Sequence, residues 1–239
     1  LKLLRKGKYQ NIIVRERHKL DLFDQKKVNN FLKKTKPKIV IIAAAKVGGI
    51  KANNKYRADF ITENLQIQNN LIHGSHTNGI DNLIFLGSSC VYPKLSKLPI
   101  KEKYLLTGFL EYTNEPYAIA KIAGIKMCEN YNIQYNRNYI SLMPTNTFGP
   151  KDNYNLNNSH FIPAILKKIY LAKINNKNYI ELWGTGKPKR EVIYVDDLAT
   201  AVIHFMKIRP KDKLINIGSS KEYSIKDYAN KIIKILNFK

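Results

Sequence analysis

The chain is 239 residues long, 44% hydrophobic and 10% aromatic, enough apolar material for a sizeable core and too much for a disordered polar segment. It carries 41 Lys and Arg against 18 Asp and Glu, a net charge of +23. Two Cys exclude a disulfide framework and fit a reducing, cytoplasmic setting, and no apolar run approaches the ~20 residues that a membrane span requires.

So positive a charge suggests nucleic acid or another polyanion. The Lys residues are instead spread along the whole chain, beside heavy use of Asn and Ile, and do not cluster with aromatics. Dispersion of this kind reads as compositional drift on solvated faces, so neither nucleic acid nor membrane is expected as a partner. A doubly charged nucleotide substrate could exploit the same charges.

Residues 1–8 predict the end of a helix. They lack the apolar core and small-residue cleavage site of a signal peptide, and read as the middle of a longer chain. Asn11-Ile12-Ile13-Val14 predicts a short buried strand, with Arg15-Glu16-Arg17 at its carboxyl end. In a dinucleotide-binding fold that position meets the adenosine ribose, where Arg accommodates the 2′-phosphate of NADP(H) and an acid selects NAD. Residues 24–34 predict an amphipathic helix with Val28, Phe31 and Leu32 inward, and 39–42 a strand covered on both faces. Ala43-Ala44-Ala45-Lys46-Val47-Gly48-Gly49-Ile50 follows. Small residues there let backbone approach a ligand, although a tight structural turn would read the same way.

Residues 59–77 predict a long helix ended by Asn78-Gly79, and 83–86 a strand delivering Gly87, Ser88 and Cys90. An irregular stretch, 92–115, leads to a helix over 116–135 with Pro116 in its first turn. Tyr117 and Lys121 then leave one face of that helix a turn apart. A phenol beside an ammonium is expected to have a lowered pKa, and suits proton delivery to a carbonyl oxygen while hydride arrives at carbon. A strand over 139–142 ends in Met143-Pro144-Thr145-Asn146-Thr147-Phe148-Gly149-Pro150, a polar loop.

Past Pro150 come an Asn-rich loop, Ser159-His160 before a helix to about 172, a strand over 179–183, and a turn over 184–190. A strand at 192–195, a helix capped by Asp196-Asp197 to about 206, a strand at 214–217 and a helix opened by Ser224 complete the pattern. Gly184-Thr185-Gly186-Lys187 is not a phosphate loop, because Pro188 stands where Ser or Thr is needed. Strands alternating with helices imply a doubly wound parallel sheet with ligands beyond the strands' carboxyl ends, where every chemically suggestive residue up to Pro150 falls.

Strand end, Ser88, then Tyr117-x-x-x-Lys121 resembles the extended short-chain dehydrogenase/reductase family. Within it, the residues at 43–50, 85–93, 114–125, 143–146, 149–150, 159–160, 183–191 and 195–199 are similar to the epimerase–reductases that convert GDP-4-keto-6-deoxy-D-mannose to GDP-L-fucose. The resemblance implies a Rossmann-like NADP-binding domain over 1–150 and a smaller substrate-binding lobe over 151–239, with segments near 191–218 returning to the first domain. It implies NADP(H) as cofactor, a GDP-sugar as substrate and a homodimer through the long helices near 59–77 and 116–135. Ser88 would hydrogen-bond the keto oxygen, Tyr117 would be the general acid, and Lys121 its partner on the nicotinamide ribose. Cys90 and His160 would be the base and acid that invert C3 and C5, with the thiol acidified by Lys121 or a protonated His160. Cofactor contacts would come from Arg15, Arg17, Ala43, Ala44, Ala45, Gly87, Ser88, Tyr117, Lys121, Pro144, Thr145, Asn146, Thr147 and His160. Ser88, Lys168, Trp183 and Arg190 would bind substrate.

Three features depart from that pattern. No G-x-G-x-x-G turn occurs in the chain, whose pattern predicts a piece lacking the family's first strand and last tens of residues. Lys168 stands where Arg is common, exchanging a bidentate clamp for a point charge, and Phe148 stands where Tyr is usual. No metal-ligand spacing is present. The alternatives are another sugar-nucleotide epimerase or dehydratase of the same fold, which typically lacks the Cys90–His160 pair, and a non-catalytic basic module.

Overall fold

A computed structural model describes residues 1–238. After a short helix α1 (Lys2–Lys6), residues 9–24 run without regular structure into α2 (Gln25–Thr35), where the Asp24 side chain accepts from Lys27 N at 2.9 Å and caps the helix. β1 (Ile39–Ile42) follows, then α3 (Ile50–Lys55), α4 (Arg57–Thr77), β2 (Asn82–Leu86), α5 (Glu115–Tyr135) and β3 (Asn138–Pro144). The rest of the chain adds β4 (Asn146–Phe148), α6 (Phe161–Ile174), β5 (Lys189–Tyr194), α7 (Val195–Phe205), β6 (Leu214–Ile217), β7 (Glu222–Ser224) and α8 (Ile225–Ile235).

The main sheet has the order β1-β2-β3-β6, and every pairing in it is parallel. Parallel neighbours need long crossovers, which α4 and α5 supply. Alternate residues of the strands feed opposite cores: Leu83, Phe85, Tyr139 and Met143 pack with Ile72 of α4 and Ile122 and Ile125 of α5. Ile84, Ile140 and Leu142 pack with Leu198 and Val202 of α7 on the other face. A third apolar cluster lies between α6 and α8 beside the smaller sheet, β4-β5-β7, and a fourth joins Val28 and Leu32 of α2 to Ile80.

α5 lies so close to the sheet that a Cβ on Gly124 would sit 2.5 Å from Phe85 Cζ and 2.9 Å from Gln68 Oε1. Ala is the better helix former, yet here overpacking dominates. Gly124→Ala is therefore expected to destabilise the fold by about 1–3 kcal/mol, read as a lower urea midpoint at unchanged slope.

Four expectations are corrected. Residues 11–14 form no strand: Asn11 has φ +59°, Ile13 and Val14 face solvent, and among the described residues no strand lies beyond β1 to pair with them. Residues 179–183 keep the alternation of a strand, with Ile180 and Leu182 packed inward and Tyr179 and Trp183 outward, but join no ladder. β5 begins at Lys189, so Arg190 lies on a strand rather than in the turn. Asp196 and Asp197 occupy the first turn of α7, where they complement the helix dipole, and Tyr194 is the residue before the helix.

Candidate active site

The parallel sheet brings the carboxyl ends of β1, β2 and β3 to one edge. At the end of β2, Gly87 N donates to Leu142 O at 2.8 Å, and a Cβ on Gly87 would lie 3.2 Å from Met143 Sδ, so only glycine crosses there undisturbed. Ser88 then opens a single 3-10 turn, Ser89–Val91, its hydroxyl accepting from Cys90 N at 3.4 Å. This turn aligns Ser88 and Cys90 against the first turns of α5.

Lys121 is 3% exposed, and its ammonium donates to Leu86 O at 2.8 Å. The same nitrogen lies 4.7 Å from the Phe85 ring centroid and 5.7 Å from that of Tyr117. One carbonyl and two ring faces are thin compensation for lost water, so burial lowers the Lys121 pKa to about 8, partly offset by Cys90. The Tyr117 ring packs edge-on to Phe60 at 6.3 Å.

The acidification expected of Tyr117 and Cys90 is not found. Burial pushes the Tyr117 phenol well above its usual range, Cys90 adds to this, and the Ser88 side chain opposes it. Burial likewise pushes the Cys90 thiol up to about 11, against the Ser88 hydrogen bond and the Lys121 charge. Desolvation outweighs one neighbouring cation, which itself holds its proton less firmly. His160 is not the missing cation either: crowding on its protein side lowers its pKa although its outer side meets solvent, and Asp152 only partly compensates.

The loop after β1 is fastened from two sides. Asn64 accepts from Lys46 N and donates to Lys46 O, each at 3.0 Å, while Asn53 donates to Gly48 O at 2.8 Å and Gly49 O at 3.3 Å. Across from it, Gly49 N donates to Asn158 O at 3.0 Å, and a Cβ on Gly49 would lie 2.5 Å from Ser159 O. This close approach fixes the segment that ends in His160, the residue preceding α6. Ala43 and Ala44 are exposed and Ala45 half-buried, leaving backbone accessible.

Other expected site residues fall at the margins. Arg15 and Arg17 are exposed and lie over Phe31 at 5.5 Å and Phe23 at 5.3 Å. Pro144 ends β3, and Thr145, Asn146 and Thr147 follow it; Asn146 Nδ2 donates to Glu191 O at 3.1 Å. Trp183 is exposed beside Lys168, whose ammonium donates to Glu181 O at 2.7 Å, and Arg190 Nη1 donates to Lys189 O at 2.8 Å. Tyr117, Lys121, Ser88 and Cys90 thus form one cluster, while Trp183, Lys168 and Arg190 belong to elements beyond β4.

The buried Lys121 ammonium, short of acceptors, suits the nicotinamide end of a dinucleotide, whereas Arg15 and Arg17 are exposed on a segment that forms no strand. The orphaned, buried Thr145 Oγ1 offers a further polar contact at the sheet edge. Sequence reasoning missed the supports. Asn64 and Gln68 are 2% exposed, and with Phe60 they repeat every four residues on α4, polar groups on a face otherwise read as core. It also missed Glu191, whose carboxylate accepts from Ser220 N at 2.6 Å and ties the β6–β7 turn to β5.

Among the described residues no helix is long and apolar enough to cross a membrane, and no three His, Cys, Asp or Glu are grouped to hold a metal. Residues 2–218 match the NAD dependent epimerase/dehydratase family. The chain is 48% identical over 237 residues to GDP-L-fucose synthase of Escherichia coli strain K12, covering 95% of this chain and 74% of that protein. A GDP-D-glycero-L-gluco-heptose synthase from Campylobacter jejuni, solved in the presence of NADPH, superposes with TM-score 0.91 at 38% identity, over 99% of this chain and 81% of that one. A Naegleria fowleri GDP-L-fucose synthetase bound to NADP superposes with TM-score 0.89 at 28% identity, over 100% of this chain and 73% of that one. With a parallel sheet, Tyr117 and a buried Lys121 at its edge and this breadth of likeness, the chain belongs to the NAD dependent epimerase/dehydratase family, on its GDP-L-fucose synthase branch.

Proposed function

We propose that the chain converts GDP-4-keto-6-deoxy-D-mannose to GDP-L-fucose, inverting C3 and C5 and then reducing the 4-keto group, with NADP(H) as cofactor. The observation that carries this reading is a thiol, Cys90, beside the Ser88–Tyr117–Lys121 group. Reduction alone does not need a thiol. Epimerisation needs a base beside the keto group, and the Cys90 thiolate can be that base.

The keto group acidifies the hydrogens on both flanking carbons. As the thiolate, Cys90 Sγ takes a proton from one face and protonated His160 returns one on the other. The Cys90 thiol then loses that proton to solvent and His160 regains one, so each centre inverts in turn with no net change in hydrogen count. The Ser88 hydroxyl orients the keto oxygen. NADPH held at the sheet edge supplies the hydride for C4. Tyr117 gives its phenolic proton to the oxygen as the charge develops there, and Lys121 stabilises the phenolate left behind. Once the keto group is gone, so is the acidity, and the stereochemistry is locked. The direct test is NADPH oxidation dependent on the 4-keto sugar; none above background sinks the reading.

Arg15 and Arg17 set cofactor choice in this account. Replacing both with Ala is expected to weaken NADPH about ten-fold or more while altering NADH little, because only the former carries the 2′-phosphate. Equal losses in the two KM values contradict the assignment.

The division into a cofactor domain over 1–150 and a substrate lobe over 151–239, with 191–218 returning to the first, draws support from β6 pairing with β3 and from α7 against the main sheet. A homodimer through α4 and α5 is supported by Ile119 and Ile133, exposed on α5; sedimentation across protein concentrations tests it. Two free thiols suit a reducing cytoplasm, and dispersed charge argues against a nucleic-acid partner.

A further inference from the structure

Trp183 is the chain's only tryptophan, and the residue is 60% exposed. Two ammonium groups from separate elements reach it. Lys168 Nζ on α6 lies 4.9 Å from the ring centroid, and Lys51 Nζ on α3 lies 5.0 Å from it. Both charges are held by one ring, so they are no more than ~10 Å apart, about a Debye length, and repel. Among the described residues neither lies within ion-pair distance of a carboxylate. Burial lowers the Lys168 pKa, which an incoming anion would reverse.

Lys51 does not reach Trp183 from a loose loop. It lies two residues beyond Gly49, where backbone meets the Asn158 and Ser159 carbonyls too closely for a side chain. It also lies two residues before Asn53, which is 4% exposed and donates to Gly48 O and Gly49 O. The turn after β1 is thereby clamped to the segment leading into His160, and the α3 lysine is carried across to the Trp183 side.

We propose that Lys51 is a substrate-positioning residue: with Lys168 it brackets the diphosphate of the GDP-sugar at Trp183, one ammonium to each phosphate. This rests on the GDP-sugar reading given above. A diphosphate supplies adjacent negative charges to relieve the repulsion between two cations, and a monophosphate engages only one of them. Binding at this point fixes the nucleotide end while the sugar extends towards Cys90 and Tyr117.

Trp183 makes its own reporter. Its fluorescence is titrated with GDP, GMP and guanosine, with calorimetry on the same samples. The wild-type chain is expected to bind GDP about ten-fold more tightly than GMP. Lys51→Ala is expected to weaken GDP about ten-fold, the scale of one charge-assisted hydrogen bond, while leaving GMP and guanosine within two-fold. Lys51→Arg should restore most of the loss. Lys55→Ala removes a charge from the same helix, where its ammonium lies over Tyr56 instead, and should leave GDP unaltered. Wild-type GDP affinity in Lys51→Ala, or an equal loss in Lys55→Ala, overturns the role of Lys51 while GDP binding stands. No GDP binding by the wild-type chain in calorimetry overturns the GDP-sugar reading itself.

Discussion

Tyr117→Phe is expected to cut 4-keto reduction by about 100- to 10,000-fold while leaving proton exchange at C3 and C5 within a few-fold of wild type. The substitution removes one hydroxyl and keeps the ring, so the edge-on contact with Phe60 survives and the site keeps its shape. Burial holds the phenol protonated, which means that its proton is available whenever the C4 oxygen becomes basic. The C4 oxygen is most basic as hydride arrives, when a full alkoxide forms. Proton abstraction next to the keto group develops charge on the same oxygen, but Ser88 remains to hydrogen-bond it. Solvent-deuterium uptake into the keto sugar and consumption of NADPH report the two stages separately. Loss of both in equal measure would show that Tyr117 serves enolisation too. The pH dependence follows from Lys121: with a pKa near 8 its ammonium is lost above that value, so reduction should fall as pH rises beyond about 8.

Cys90→Ser is the second large effect, an expected loss of about 100- to 10,000-fold in deuterium exchange and in GDP-L-fucose formation. A hydroxyl is a far weaker acid than a thiol, so Ser at neutral pH offers almost no anion, while its size hardly disturbs the 3-10 turn. With the thiol pushed up to about 11, only a minute fraction of Cys90 is thiolate at neutral pH. Exchange in the wild-type chain should therefore rise with pH through the neutral and mildly alkaline range, opposite in sign to the fall in reduction. His160→Ala should also stop inversion, because nothing remains to return a proton on the second face. Both variants keep Ser88, Tyr117 and Lys121 and should still bind NADPH. A Cys90→Ser variant that makes GDP-L-fucose at nearly the wild-type rate reduces Cys90 to a packing residue.

The parallel sheet was legible because its strands are nearly continuous apolar runs, and a strand buried on both faces cannot alternate. Ile39–Ile42 and Asn82–Leu86 fell within one residue of expectation for that reason. Residues 11–14 misled because a β-branched run states a preference, whereas a strand also needs a partner to bond. Residues 179–183 failed in the same way: alternation records which side chains are buried, not whether the backbone is paired. Tyr117 and Lys121 were placed correctly on one helical face by spacing alone. The titration of Tyr117 was not, since neighbouring charge is visible in a sequence and desolvation is not. Lys51 illustrates a third limit. Nothing in the sequence links position 51 to position 183; the close approach of Gly49 to Ser159 brings those two regions together.

The order of chemistry at a single site, inversion before reduction, is tested most directly by the isotope pattern of the product made in deuterated water. The protein is supplied with GDP-4-keto-6-deoxy-D-mannose and unlabelled NADPH, and the product is read by NMR. GDP-L-fucose carrying solvent deuterium at C3 and C5 and protium at C4 is the predicted result. A 4-reduced sugar of unchanged configuration, with protium at C3 and C5, would contradict it.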